Sequence, residues 1–362
     1  MDIKKVRFAR PTANDFYSTV KLRVHEYFKE NNISKHADGR MVFKTVFMIA
    51  LYLVPYTLML TLGLTNVWVM MLIWVIMGFG MSGIGLSIMH DANHGAYSDN
   101  PTVNKILGAL IILVGGDDNN WKIQHNVLHH TYTNIHDLDE DIQTAPILRF
   151  SPNEKLRPIH RLQFVYAWFF YGMMTMFWST FKDFLQMTRY NRKGLTKSIK
   201  KGFGTLMTRM VLSKVFYYII TLVIPLIVLP FAWWQIVLGY LLMHFVAGFS
   251  LACIFQPAHV LPESDFLNPD ENETIETPWA EHQLRTTSNF APKKRIFSWF
   301  VGGLNYQIEH HLFPTICHVH YREISEIVKK TAHEFNLPYN SFSTFRSALK
   351  YHGQMLYRLG RQ

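Results

Sequence analysis

The chain has 362 residues, is 49% hydrophobic and 15% aromatic, and carries a formal charge of +10, with its apolar residues gathered into blocks. That pattern suits a membrane protein with basic loops, and the only cysteines, Cys253 and Cys317, rule out a disulfide framework. The charge raises nucleic acid as a partner, but no binding motif accompanies it and basic residues flanking membrane spans account for it, so nucleic acid is set aside.

The first forty residues are mixed and charged, with Lys4, Lys5, Arg7, Arg10, Lys21, Arg23 and Lys29, and lack the apolar core and small-residue cleavage site of a secretory signal. A helix needs about 20 mostly apolar residues to cross a bilayer, and four stretches approach that: 45–64, 67–89, 215–231 and 234–255. They pair as two hairpins, with Asn66 in the first connection and Trp233 and Trp234 in the second. Neither connection carries Lys or Arg. The segments outside the hairpins do, among them Lys35, Arg40 and Lys44 before the first and Lys182, Arg189, Arg192, Lys193, Lys197, Lys200, Lys201, Arg209 and Lys214 before the second. The positive-inside rule therefore places both termini and the long middle segment in the cytosol. Residues 162–181 are long enough to span, but polar interruptions and basic flanks predict an interfacial helix on the cytosolic face. Residues 106–116 are too short to cross unaided. The expected fold is an all-α integral membrane protein: four transmembrane helices in two hairpins, with a helical cytosolic cap. The expected divisions are an N-terminal segment 1–44, a membrane domain 45–313 and a C-terminal segment 314–362.

Seven of the 18 histidines fall in three short runs: HDANH at 90–94, HNVLHH at 125–130 and QIEHH at 307–311. On α-helices, His90 and His94 stand one turn apart, as do His125 and His129, so each pair can aim at one point. His130 and His311 each project about a quarter-turn from His129 and His310, which lets neighbours serve different metals. His259, at the end of the fourth span, enters the cytosol near where His90 leaves the second. These eight histidines (His90, His94, His125, His129, His130, His259, His310 and His311) exceed the four-coordinate shell of one structural zinc and point to two metals. Imidazole alone does not separate iron from zinc or copper. Asp91, Glu309 and the acids Asp137, Asp139, Glu140 and Asp141 can accept the outer N–H of a ligating imidazole, Asp91 being the preferred candidate and Glu140 reading as a solvated loop or cap. His244 lies too deep in the fourth span to join the site, about 22 Å along the helix from His259. A hydrogen bond to a neighbouring helix is expected for it. His318 and His320 read as packing beside the third run; His25, His36, His160, His333 and His352 read as surface residues.

From about Ser87 to Phe313, the three histidine runs, the extra histidine and the hairpin spacing resemble the membrane fatty acid desaturase family. Gln307 opening the third run, WAEHQLRTTSNF at 279–290 and NYQIEHHLFP at 305–314 are similar to its front-end subgroup. The resemblance implies a di-iron centre at which dioxygen, the co-substrate, is used to remove two hydrogens from adjacent methylenes of an acyl chain, leaving a cis double bond. It implies the eight histidines as iron ligands, with Asp91, Gln307 and Glu309 around them. It further implies an acyl-lipid or acyl-CoA substrate and a bacterial inner-membrane setting. No His-Pro-Gly-Gly haem motif occurs in the chain, so the electrons are expected from a separate ferredoxin or cytochrome-type donor. Residues of the second and fourth spans with Trp121 are candidate walls for the acyl chain, and Arg149, Lys155, Arg157 and Arg161 candidate contacts for an anionic head group. An acyl-chain hydroxylase with the same centre is the nearest alternative; a zinc protease or metal transporter explains fewer of the runs.

Overall fold

The computed structural model describes residues 6–11, 15–143, 146–199 and 201–362. Lys4, Lys5 and Lys200, counted above among the basic flanks, lie outside the described residues. The fold is mostly helical, and four helices are long and apolar enough to cross a membrane. They are α2 (Gly39–Thr61), α3 (Val67–Asn93), α7 (Phe203–Val228) and α8 (Trp233–His259). Each starts or ends several residues from the predicted limits, because caps rather than hydropathy set where a helix stops. The Asp38 carboxylate accepts from the Arg40 and Met41 amides and starts α2 six residues inside what reads as a charged flank. Asn66 does the same for α3 through the amides of Trp68 and Val69.

The central packing is α3 against both α2 and α8. It is close because small residues sit at the crossings. A β-carbon on Gly80 would lie 2.7 Å from the Tyr52 amide nitrogen, and one on Gly78 2.7 Å from the Met243 carbonyl oxygen. Backbones approaching this closely substitute dispersion for the hydrophobic drive that lipid cannot supply. Outward faces of α2 and α7 keep large apolar residues exposed, including Phe43, Val46, Leu212, Phe216 and Ile227, as lipid-facing surfaces do.

The remaining elements form a cap over one end of α3 and α8. In chain order they are α1 (Phe16–Glu30), α4 (Pro101–Val114), α5 (residues 118–132), α6 (residues 163–192), α9 (Trp279–Thr286), α10 (Arg295–Phe300), α11 (Gln307–Leu312), α12 (Tyr321–Glu334) and α13 (Phe345–Leu359). Two short parallel strand pairs qualify the all-α expectation: β1 (Arg7–Phe8) with β2 (Thr274–Ile275), and β3 (Asn289–Phe290) with β4 (Ser341–Phe342). They tie the two ends of the chain to the segment between α8 and α10. The predicted interfacial helix is α6. Gln163 at its start bonds the Arg149 and Leu356 carbonyls, and Gln186 near its end bonds Gln124, so both ends meet the cap. Its middle crosses α8, where the Thr175 hydroxyl donates to the His244 carbonyl at 2.9 Å.

Several side chains depart from their expected settings. His160 and His352 are buried, His352 between Tyr171 and the Val260 carbonyl, because α13 folds back onto α6 and α8. Arg149 is 3% exposed and spends four of its five N–H donors on the carbonyls of Pro152, Glu154, Leu359 and Gln362, so it ties down the end of α13 from a buried position rather than facing a head group. His244, by contrast, takes its expected place: in the stem, hydrogen-bonded between helices to the Tyr217 hydroxyl at 2.8 Å and Thr175 at 3.0 Å.

Candidate metal centre

Each histidine run arrives on its own element. α3 delivers His90 and His94 at its cap end, just after a π-helical turn at Ile84–Ile88. α5 delivers His125, His129 and His130, and α11 delivers His310 and His311. His259 is the last residue of α8.

The side chains gather into two groups. His90, His94, His125 and His310 place one nitrogen each within 4.8 Å of one another, and His129, His259 and His311 do the same beside them. In the second group the ring centroids form a nearly equilateral triangle, 4.8 Å from His129 to His259, 4.9 Å from His129 to His311 and 4.8 Å from His259 to His311. His130 stands between the groups: its Nε2 lies 3.2 Å from that of His125 and 3.0 Å from that of His310, while its ring stacks on His311 at 4.4 Å.

His125 and His129 converge on Asp141, but in the two all-imidazole groups they fall apart: their rings stack 5.3 Å from each other and each joins a different group. Residues 122–129 wind as a π-helix, whose wider turn brings residue i+5 rather than i+4 into line. His130 therefore meets His125. The neighbours His129 and His130, and likewise His310 and His311, diverge as the quarter-turn between adjacent residues requires.

The donor set fits metal ions. Buried nitrogens without any partner include Nε2 of His94, His259 and His311, all at the groups' convergence. Burial holds His125 down to about 3, and His130, His310 and His311 well below the usual imidazole range, so these rings are neutral. The Nε2 atoms of His90, His125, His130 and His310 approach to 3.0–3.2 Å, a spacing at which either a shared proton or a metal cation must lie between two of them. Burial also disfavours the His129 cation, but Asp139 and Asp141 outweigh it and raise that ring to about 9. Outer nitrogens are fixed by polar partners: His129 Nδ1 by both oxygens of Asp139 at 3.1 Å, His311 Nδ1 by Gln283 Oε1 at 2.8 Å, His310 Nδ1 by the Tyr321 hydroxyl at 3.1 Å and His259 Nδ1 by the Thr286 carbonyl at 3.2 Å. Such partners set the tautomer and raise ligand basicity. Asp139→Asn keeps the shape but removes the charge, and is expected to lower metal affinity about 10–100-fold. Metal bound per chain, titrated at limiting iron, checks this; unchanged affinity would make Asp139 a loop staple only.

Of the acids singled out from the sequence, Asp139 takes the role foreseen for Asp91. The Asp91 carboxylate lies 3.9 Å from His90 Nδ1, outside hydrogen-bond reach, because the next residue on a helix points about 100° away. It instead accepts from the backbone N–H of His318 at 3.1 Å and from its Nδ1 at 2.7 Å, while Lys44 Nζ donates to His318 Nε2 at 2.7 Å. Asp91, Cys317 and His318 are close enough to hold a cation, and the Lys44 amine supplies one. Glu309 accepts from Asn289 at 2.8 Å and Tyr339 at 2.9 Å, and burial pushes it up to about 7. It braces α11 against β3 and touches no imidazole of the centre by hydrogen bond. Gln307 is buried, with its Nε2 unpartnered. Glu140 is no solvated loop residue: it is buried and ion-paired with Arg189. Gln283 and Tyr321 were not foreseen; the signal for Gln283 lay inside the 279–290 motif, whereas nothing local marks Tyr321.

Trp121 lies edge-on to His90 and His94 at 5.5 Å and tilted over His125 at 4.5 Å, and Phe255 approaches His90 and His125 at 6.4 and 6.2 Å. Bulky apolar rings thus border the first group.

By fold and site together this is a helical protein with four membrane-length helices and two adjoining clusters of buried imidazoles able to hold metal. Residues 66–343 match the family described as fatty acid desaturase, and the chain belongs to that family. It is 35% identical over 345 residues to an sn-1 linoleoyl-lipid 6-desaturase of Arthrospira platensis, covering 95% of this chain and 92% of that one. A protein of the same description from Synechocystis sp. is 33% identical over 349 residues, covering 96% of each. An acyl-lipid (8-3)-desaturase of Physcomitrium patens is 33% identical over 98% of this chain and 74% of its own length.

Proposed function

We propose that this chain is an oxygen-dependent front-end desaturase that places a cis double bond in an acyl chain carried on a membrane lipid, using two iron ions held by the eight histidines. The observation that carries the reading is the pair of adjoining imidazole groups at the cap ends of α3 and α8, bordered by Trp121 and Phe255. Iron bound there supplies the activation of dioxygen that breaking two unactivated C–H bonds requires. The chain's own residues do the rest. Asp139, Gln283, Tyr321 and the Thr286 carbonyl hold the ligand rings in one orientation, and Trp121 and Phe255 offer a methylene chain apolar contact beside the centre. Burial of each methylene contributes about 0.8 kcal/mol, so an apolar stem can hold a long chain in register, and position decides which carbons react. The two cyanobacterial relatives support the 6 position of a linoleoyl chain on a lipid.

Both termini and the cap are assigned to the cytosol, with α2–α3 and α7–α8 as membrane hairpins and residues 1–44 and 314–362 as flanking segments. Support comes from the lack of Lys and Arg between the paired helices and from α6, whose two ends both meet the cap. The electron donor is a separate ferredoxin or cytochrome-type protein.

The test is the lipid profile of a desaturase-deficient bacterial host fed linoleate and expressing the chain, with double bonds located by mass spectrometry. A new double bond at position 6 in lipid-linked chains supports the proposal. A hydroxy acid would move the reading to hydroxylase, and a double bond elsewhere would correct the position.

A further inference from the structure

The desaturation proposed above takes up more electrons than its substrate supplies: –CH2–CH2– plus O2, two electrons and two protons gives –CH=CH– and two waters. Two one-electron deliveries per turnover must therefore reach the buried histidines from outside. A polar route runs outward from two of them. His125 Nδ1 and His129 Nδ1 face Asp141 Oδ2 at 3.8 and 3.5 Å, and these rings are buried whereas the Asp141 side chain is 29% exposed. The other Asp141 oxygen accepts from Gln124, whose own oxygen accepts from Gln186 Nε2 at 3.0 Å. Gln186 belongs to α6, and the last turns of that helix carry Arg189, Arg192 and Lys193 beside it, with Lys182 one turn before. Glu140 takes one end of Arg189, but among the described residues Lys182, Arg192 and Lys193 have no ion-pair partner. Phe181 and Leu185, on the preceding turns, are exposed apolar residues, so α6 climbs from a lipid-facing surface to a cationic tip.

We infer that the cationic tip of α6, with Lys182, Arg189, Arg192 and Lys193, is the docking face for an acidic one-electron carrier, an iron–sulfur or haem protein. Electrons cross from it through the Gln186, Gln124 and Asp141 contacts to His125 and His129. The occupant is argued from charge and from position: unpaired cations attract an acidic partner and steer it by ten-fold or more at low salt, and this tip adjoins the exposed Asp141 edge of the ligand network. An anionic lipid surface is the competing occupant of the same cations.

The inference rests on the desaturase reading, and the experiment separates the two. Iron-loaded enzyme in nanodiscs of neutral phosphatidylcholine is compared with its Arg192→Glu/Lys193→Glu variant. Turnover is driven by a reduced acidic [2Fe–2S] ferredoxin, donor binding is measured directly by surface plasmon resonance, and product from one deazaflavin-photoreduced turnover serves as the control. The expected result is a KM and Kd for ferredoxin raised about ten-fold or more, a flattened salt dependence, and photoreduced product within about two-fold of the unaltered chain. Unchanged ferredoxin KM and Kd would overturn the inference, as would an equal loss of photoreduced product, which would mean structural damage. A shift seen only when phosphatidylglycerol is present would also overturn it and assign the cations to lipid. If the unaltered photoreduced enzyme makes no unsaturated product, the desaturase reading fails, while the docking face still stands or falls on the binding constant.

Discussion

His259→Ala is expected to abolish product formation while the protein stays in the membrane. His259 is one of only three imidazoles in the second group, whose rings sit 4.8–4.9 Å apart, and its Nε2 has no other partner. Losing it removes a third of that donor set, so the effect should exceed the about 10–100-fold expected when an outer hydrogen bond is lost. Iron per chain should fall from two toward one, because the group of His90, His94, His125 and His310 remains intact. Iron analysis of purified protein alongside lipid analysis checks both halves. Full turnover with two irons would remove His259 from the ligands.

Lys44→Met is the second large effect, and it acts outside the histidine groups. Lys44 is 2% exposed, and its amine reaches Asp91 through His318, so the three form a buried, charge-balanced chain from α2 to the residue beside His90. Taking away one partner of a buried charge pair leaves the other uncompensated and costs about 3–5 kcal/mol. The variant should lose most of its thermal resistance in detergent. Asp91→Asn combined with Lys44→Met should recover part of it, because both charges are then gone. Equal stability of the single and double variants would show that the amine does not balance Asp91.

The sequence carries a large part of this architecture because its signals are local. Apolar length marks the four helices that are long and apolar enough to cross a membrane. The histidine runs supply six of the seven imidazoles that the structure gathers into two groups, and the seventh, His259, stands out in the sequence by its place at the end of the fourth span. Rotation between adjacent residues also suffices to send His129 and His130, or His310 and His311, toward different groups.

What the sequence does not carry are contacts between distant segments and local departures from ideal winding. The π-helix at 122–129 makes His130, not His129, the partner of His125, and hydrophobic periodicity does not report one extra residue in a turn. Asp91 looks like a ligand brace because it lies between two ligands, yet its direction on the helix and the approach of the 314–320 segment give it to His318. His160 and His352 read as surface residues and Arg149 as a head-group contact because nothing local reports the distant segment that covers them; α13 does so by packing on α6 and α8. Residue type and spacing therefore determined the four membrane-length helices and the histidines that gather into groups able to hold metal, and the motifs carried the likeness to the fatty acid desaturase family. Only the tertiary structure decided which imidazoles share a point, which acid holds His129, and which charges are compensated, since each depends on side-chain direction and on elements far apart in the chain.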